Sequence, residues 1–423
     1  MMGADARREA ANQECLRRLC ASEPVLVDIK PAIEVLPGMR QDLVLTSGPA
    51  LVWDDYVGGQ RDAIIGGALF EGLAKDRGDA IRKLSSGEIA IDGCHPHGCV
   101  GSLAGIYTAS MPVFIVRNDA TGSYGYCNFY EGTNRRRLNY GVYDAGVHER
   151  LDYVHRVVAP VIGEAVRRSG GIRLKPMMAR ALHMGDELHS RSTAASLLFA
   201  RELFPHLVAM SERDRDGVLK AVQALTEDHY FFLRLSMAAA KVTADSAHGV
   251  EHASIVTAMA FNCRGFAIRV SGLGNTWWTG PHATVQAKLF EGHQEDEITW
   301  MGGESVIAET VGLGGFAQAA AFPLQAYQGG SPEAMATRNL EMYEITVGEN
   351  TDYRIPYFKY RGTPTGIDIF RVIATGITPV MDIGIAGRDG GQIGAGVVRA
   401  PLQCFATAAA VFEARRMACE APA

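Results

Sequence analysis

The chain has 423 residues, 47% of them hydrophobic and 21% charged, which is ordinary globular usage and predicts folding throughout, in two or three packed domains. A formal charge of −6 and a pI near 6.1 give no basic footprint for a phosphate backbone, and Arg135-Arg136-Arg137 is too short a run to supply one. No apolar stretch is long enough to cross a bilayer and the N-terminus lacks an apolar signal core, so a cytoplasmic protein with neither nucleic-acid nor membrane partners is expected. Eight scattered cysteines with no CxxC pair read as reduced thiols.

In chain order, an amphipathic helix from residue 12 leads into short apolar runs at 25–27 and 43–45, read as strands. Helices follow at 58–76 and 78–84, then strands at 89–91, 113–116 and 124–130, so that residues 1–145 form an N-terminal α/β domain. The period then changes. Val154, Val157, Val158, Val161, Ile162 and Ala165 mark one face of a helix stopped by Gly170-Gly171. Helical patterns continue at 172–190, 193–205, 214–225 and 229–247, giving a helical domain over 146–250. Beyond it come strands at 266–270 and 283–289, a Gly/Ala-rich helix near 304–327, a strand pair around 341–361, an apolar stretch at 367–385 and a closing helix at 401–417. Residues 251–423 thus form a C-terminal α/β domain with Gly-rich loops, the whole chain is of mixed α/β class, and the site is expected between domains.

Three constellations carry candidate chemistry. His95-Pro96-His97-Gly98-Cys99 follows a strand; the two imidazoles can ligate one divalent metal, the glycine turn can bind an anion, or the histidines simply cap a turn. In Ala181 to Arg191, a helical reading puts Asp186 and Glu187 three and four residues from His183 on one face, with His189 beyond; the alternative is a solvated helix face. The histidines are six apart, so this is not a zincin-type motif. The third group is loop-borne: Asn275 and Trp277 in Ser271 to Trp278, Glu304 and Glu309 around Gly312-Leu313-Gly314-Gly315, and Arg361, Thr363 and Asp368 in a Pro/Gly turn. There Arg361 offers a planar fork for a carboxylate or phosphate, unless the turn is only a turn. No dinucleotide fingerprint, P-loop, nucleophile elbow or Schiff-base lysine context is present, and Cys99 reads as structural.

Taken together, HPHGCVGSLAGIYTASMPVF (95–114), ALHMGDELHSR (181–191), MAAAK (237–241), SGLGNTWW (271–278), ETVGLGGFAQAAA (309–321), RGTPTGID (361–368) and IGIAGRDGGQIGAGVVRAP (383–401) resemble a bacterial family long known as a domain of unknown function, whose best-known relatives are the YlbE/AllG-type proteins. The resemblance spans nearly the whole chain. It implies a subunit of oxamate carbamoyltransferase, which converts oxalurate and phosphate to oxamate and carbamoyl phosphate in purine and allantoin breakdown, beside an FdrA-like protein partner. The Ser-Thr-Arg-Thr and His-Pro-x-Gln motifs of common transcarbamylases are absent, and residues 302–305 read Gly-Gly-Glu-Ser where relatives are expected to carry Gly-Asp-Ser.

The leading expectation is therefore an enzyme or enzyme subunit acting on a small anionic amide or ureido compound, self-associating and without an organic cofactor. His95, His97, His183 and Glu187 would move protons, with Asp186 orienting the helix-borne histidine. Arg361, Thr363, Asp368, Asn275, Trp277, Glu304, Glu309 and Arg191 would bind substrate. Two alternatives stay open: a metal-dependent amide hydrolase using His95 and His97 with histidines 183 and 189 downstream, and a non-catalytic ligand-binding subunit.

Overall fold

Val25, Leu26 and Ile29 are buried on strand Pro24–Pro31, which sits inside a five-stranded sheet. In the computed structural model, which describes residues 4–420, the order across this sheet is Cys99–Val100, Tyr124–Asn128, Pro112–Asn118, Pro24–Pro31 and Ile172–Arg173. Pro24–Pro31 runs antiparallel to Pro112–Asn118, with a register shift between Leu26 and Asp28. Helix Leu233–Ser246 packs on strands Pro112–Asn118 and Tyr124–Asn128, and helix Ala159–Ser169 packs on Pro24–Pro31. Both helices are rich in small and β-branched residues, which lets them approach the sheet closely.

The expected mixed α/β class is what the structure has. After residue 250, Trp277–Gly280, Gly265–Val270 and Val256–Asn262 make a three-stranded antiparallel sheet, and Thr284–Leu289, Gln392–Arg399, Val380–Gly387 and Ile298–Thr299 a four-stranded one. The largest hydrophobic cluster joins Cys15, Leu26, Phe114, Phe199, Leu235, Ile307 and Tyr353, so residues from all three stretches of the chain share one core. Among the described residues no helix is long and apolar enough to cross a membrane. Seven cysteines are free thiols, and the side chain of Cys419 lies outside the described residues.

Three local expectations are corrected. The helix expected over 172–190 ends at Leu182, and His183 to Ser192 form turns, because Gly185 takes φ +94° and Leu188 φ +72°, values no helix contains. The Gly/Ala-rich segment 304–327 is not one helix but a chain of short turns, Ile307–Thr310, Gly314–Phe316, Gln318–Ala320 and Phe322–Leu324, broken by glycines at positive φ. Residues expected as strand near 341 belong to helix Pro332–Glu344, capped by the Ser331 side chain; the hairpin that follows pairs Thr346–Ile355 with Arg361–Ile367.

Candidate active site

The turn after strand Tyr124–Asn128 brings Tyr130, Glu131, Arg137 and Tyr140 to the wall of a cavity. Helix Leu233–Ser246 adds Arg234 from its first turn, preceded by Asp228 and Tyr230; the turn after Leu188 adds His189 and Ser190. Val285, Ile298, Trp300, Met301, Ile383 and Ile385 add apolar surface to the lining. The cavity measures about 90 Å³, room for roughly six to nine water-sized groups, and therefore for a small ligand.

Two guanidinium groups dominate its polar side. Arg234 is 6% exposed and donates to Asn128 Oδ1 at 2.9 Å. Arg137 donates to Gln392 Oε1 at 3.2 Å, lies 4.9 Å from the Tyr140 ring centre, and keeps a buried Nε without a partner. Neither forms an ion pair among the described residues. Buried cations are ordinarily paired, so the buried Arg234 and the half-buried Arg137, whose Nε is itself buried, offer donors to an anion, neither having a carboxylate partner among the described residues. Asp228 lies within their field, its Oδ1 accepting the Tyr230 N–H at 2.8 Å, and burial pushes its carboxyl up.

His189 connects this cavity to buried acids. Its Nδ1 is 2.8 Å from Glu309 Oε1, while its Nε2 makes no hydrogen bond within the described chain. Glu309 Oε1 also accepts the N–H groups of Gly315 at 2.9 Å and Asp382 at 3.0 Å. Burial works against charge on His189, but the adjacent Glu309 carboxylate outweighs it and the net shift is upward. Asp382 is pushed up to about 6 by burial and by Glu309. The Gly-Leu-Gly-Gly motif has a steric role here: Gly314 takes φ +57°, and a Cβ on it would lie 2.2 Å from Glu309 Oε1. A carboxylate-held imidazole with its second nitrogen free is an arrangement for proton transfer.

Comparison with known proteins gives this geometry a family. Residues 89–305 match the family model described as oxamate carbamoyltransferase subunit AllG. The oxamate carbamoyltransferase subunit AllG of Escherichia coli K12 is 38% identical over 93% of this chain and 95% of its own. The chain belongs to the AllG family. The uncharacterized YahG protein of the same organism is 40% identical over 94% of this chain and 84% of its own. A conserved protein of unknown function from Enterococcus faecalis V583 has a crystal structure that superposes with a TM-score of 0.95, at 37% identity, over 98% of this chain and 99% of that one.

In this AllG-family chain the sequence candidates are scattered over several places. His183 caps the end of its helix on the surface, edge-on to Tyr360 at 5.3 Å, and does not line the cavity. The shared helix face expected for His183, Asp186 and Glu187 does not exist, since only His183 touches the helix end. Asp186 caps helix Thr193–Met210 by accepting the Ala195 N–H at 2.8 Å, and burial pushes it up to about 6. Glu187 accepts the His189 N–H at 2.8 Å and those of Ser190 and Arg191, so it shapes the turn that presents His189; burial and then Asp382 raise it well above the carboxylate range. Arg191 closes the same turn on Gly185 O at 2.9 Å.

His95, Trp277 and Glu304 meet in a second buried cluster. His95 Nδ1 accepts from Lys241 Nζ at 3.2 Å, its ring lies 5.1 Å from that of Trp277, and Glu304 Oε1 is 3.9 Å from its Nε2. Burial, then the charges of Lys241 and Arg269, hold the His95 imidazole well below its ordinary value. Glu304 accepts from Gly48 N at 2.9 Å and Gly101 N at 2.8 Å, tying together two loops beside the cavity rim residues Ser102, Gly303 and Ser305. His97 faces elsewhere, with Nδ1 on Pro37 O at 2.6 Å and Nε2 3.1 Å from Asp92. Its two nitrogens are thus engaged, and His95 and His97 do not converge on a shared ligand. Among the described residues no group of three or more His, Cys, Asp or Glu is placed to hold a metal.

The hairpin candidates serve the fold. Arg361 pairs with Glu349 at 2.8 Å and stacks on Tyr343 at 3.6 Å. Thr363 is buried in the same hairpin, beside Gly312. Asp368 caps helix Ile369–Thr375 through the Phe370 N–H at 3.0 Å and accepts from Ser254. Asn275 is exposed and 3.1 Å from His248 Nε2. Sequence reasoning passed over Arg137, Arg234 and Glu131. Arg234 did leave a signal, being a lone charge inside the apolar run Phe231 to Ala240.

Proposed function

We propose that this cavity is where the chain, as a subunit of a carbamoyltransferase, handles a small anionic amide or ureido compound, with oxalurate and phosphate as substrates and oxamate and carbamoyl phosphate as products. One observation carries the reading: a buried and a half-buried guanidinium group, Arg234 and Arg137, neither with a carboxylate partner among the described residues, share a small cavity with a histidine held by a buried carboxylate. Arg137 and Arg234 bind the carboxylate and phosphate charges through charge-assisted hydrogen bonds. A phosphate oxygen attacks the ureido carbonyl carbon, the bond from that carbon to the oxamate nitrogen breaks, and the proton that nitrogen needs comes from His189 Nε2. The upward shift of His189, where Glu309 outweighs burial, favours the protonated donor.

The Escherichia coli relative is named as a subunit, which supports an assembly of several subunits, so the reading includes an FdrA-like partner and self-association. The test is direct: the purified chain, alone and with an FdrA-like protein, is given oxalurate and phosphate, and carbamoyl phosphate is measured. The expected result is formation that requires Arg234 and His189. No carbamoyl phosphate in either arm refutes the assignment.

A further inference from the structure

Glu131 stands three residues past the end of strand Tyr124–Asn128, in the cavity wall and 4% exposed. The turn carrying it is clamped from outside: Arg150 donates through Nε to the Glu131 backbone carbonyl at 3.0 Å and through its other end to the Arg136 carbonyl. The carboxylate itself is poorly satisfied. Oε1 accepts one long hydrogen bond, 3.4 Å from the Asn139 N–H, and Oε2 is buried with no partner. Among the described residues no Lys, Arg or His pairs with it.

A buried acceptor left without a donor is destabilising, and such groups in native proteins call for an explanation. Asp228, the other acid of the polar wall, accepts the Tyr230 N–H and has no buried oxygen without a partner among the described residues, whereas Glu131 has one. The guanidinium groups of Arg137 and Arg234 can only donate, whereas an ionised carboxylate can only accept. The wall therefore presents donors for an anion and, at Glu131, an acceptor that an anion cannot satisfy. A ligand carrying a carboxylate at one end and N–H groups at the other complements both; a dicarboxylate of the same shape complements only the first.

We infer that Glu131 is a specificity-determining residue that accepts an N–H of the ligand's amide or ureido group, so that the cavity selects monoanionic amides over dicarboxylates of equal size. This rests on the reading of the cavity as an anionic-amide site. It assigns the discrimination to one carboxylate and not to the arginines, which bind either ligand.

The probes are oxamate and oxalate, which differ by an amide in place of a carboxylate, titrated calorimetrically into the full chain. The wild type is expected to bind oxamate about tenfold or more tightly than oxalate, the scale of one unmade buried hydrogen bond. Glu131→Gln, whose amide can donate to a carboxylate, should abolish that preference, and Glu131→Asp should retain the sign of it. Equal binding of the two anions by the wild type, or an unchanged preference in Glu131→Gln, overturns the role of Glu131 while leaving the anion site standing. Binding of neither anion overturns the anion site, and this inference with it. Equal binding by the wild type refutes the proposal whether or not a variant folds, and Glu131→Asp gives a second variant should Glu131→Gln fail to fold.

Discussion

His189 Nδ1 and Glu309 Oε1 lie 2.8 Å apart with both side chains buried. The carboxylate fixes which imidazole nitrogen faces it and favours the charged ring. His189→Ala should lower the rate of carbamoyl phosphate formation by about a hundredfold, the usual contribution of a general acid, with the fold intact by circular dichroism. A fully active variant would remove His189 from the chemistry.

Glu309→Gln keeps an acceptor near Nδ1 but removes the charge that raises the His189 value. The protonated imidazole is then lost at lower pH, so the alkaline limb of the pH–rate profile should move toward acid. An unmoved limb would show that the rate does not depend on this pair.

Arg234→Met should weaken oxamate binding by about 10- to 100-fold, since a hydrogen bond from a charged donor to a charged acceptor stabilises by roughly 1.5–3 kcal/mol. Arg361→Met should leave it unchanged, because that guanidinium is committed to Glu349 away from the cavity. Titration of both variants checks the contrast.

His183→Ala should alter neither rate nor stability beyond the small range typical of surface substitutions, about 0.5 kcal/mol. His183 is exposed, and its ring lies edge-on to that of Tyr360. A large loss of rate in a folded variant would return the proton-transfer role to His183.

Glu304 is pushed up to about 7 from an ordinary 4.5, chiefly by burial. A carboxyl raised in the folded state binds protons more tightly there than in the unfolded chain, so its favourable contribution is complete below about pH 4.5 and is lost as pH rises toward 7. Glu304→Gln should be less stable overall, since one amide oxygen cannot serve both Gly48 and Gly101. Its melting temperature should nevertheless fall less than that of the wild type between those two pH values. A parallel fall in both proteins would show that Glu304 does not titrate there.

The sequence alone determined what depends on near neighbours. Val154 to Ala165 carry a helical face, and 113–116 a strand, because side-chain period and local backbone preference are properties of contiguous residues. Family membership was legible too, since several motifs in one order do not need coordinates to be compared. The tertiary structure decided the site. Arg137, His189, Arg234, Glu309 and Gln392 come from distant parts of the chain, and nothing in a local pattern says that two guanidinium groups will share a cavity without a carboxylate partner. The same limit explains His183 and Glu187: four residues apart in sequence, they part because Gly185 turns the chain at positive φ, leaving one side chain on the surface and the other buried and accepting the His189 N–H. Helical period places side chains only while the helix lasts, and this one ends at Leu182, ahead of Gly185 at positive φ; the turn beyond it is held by the long-range hydrogen bond from Gly314 N–H to Glu187 O, 2.8 Å, which no spacing in residues 181–191 encodes.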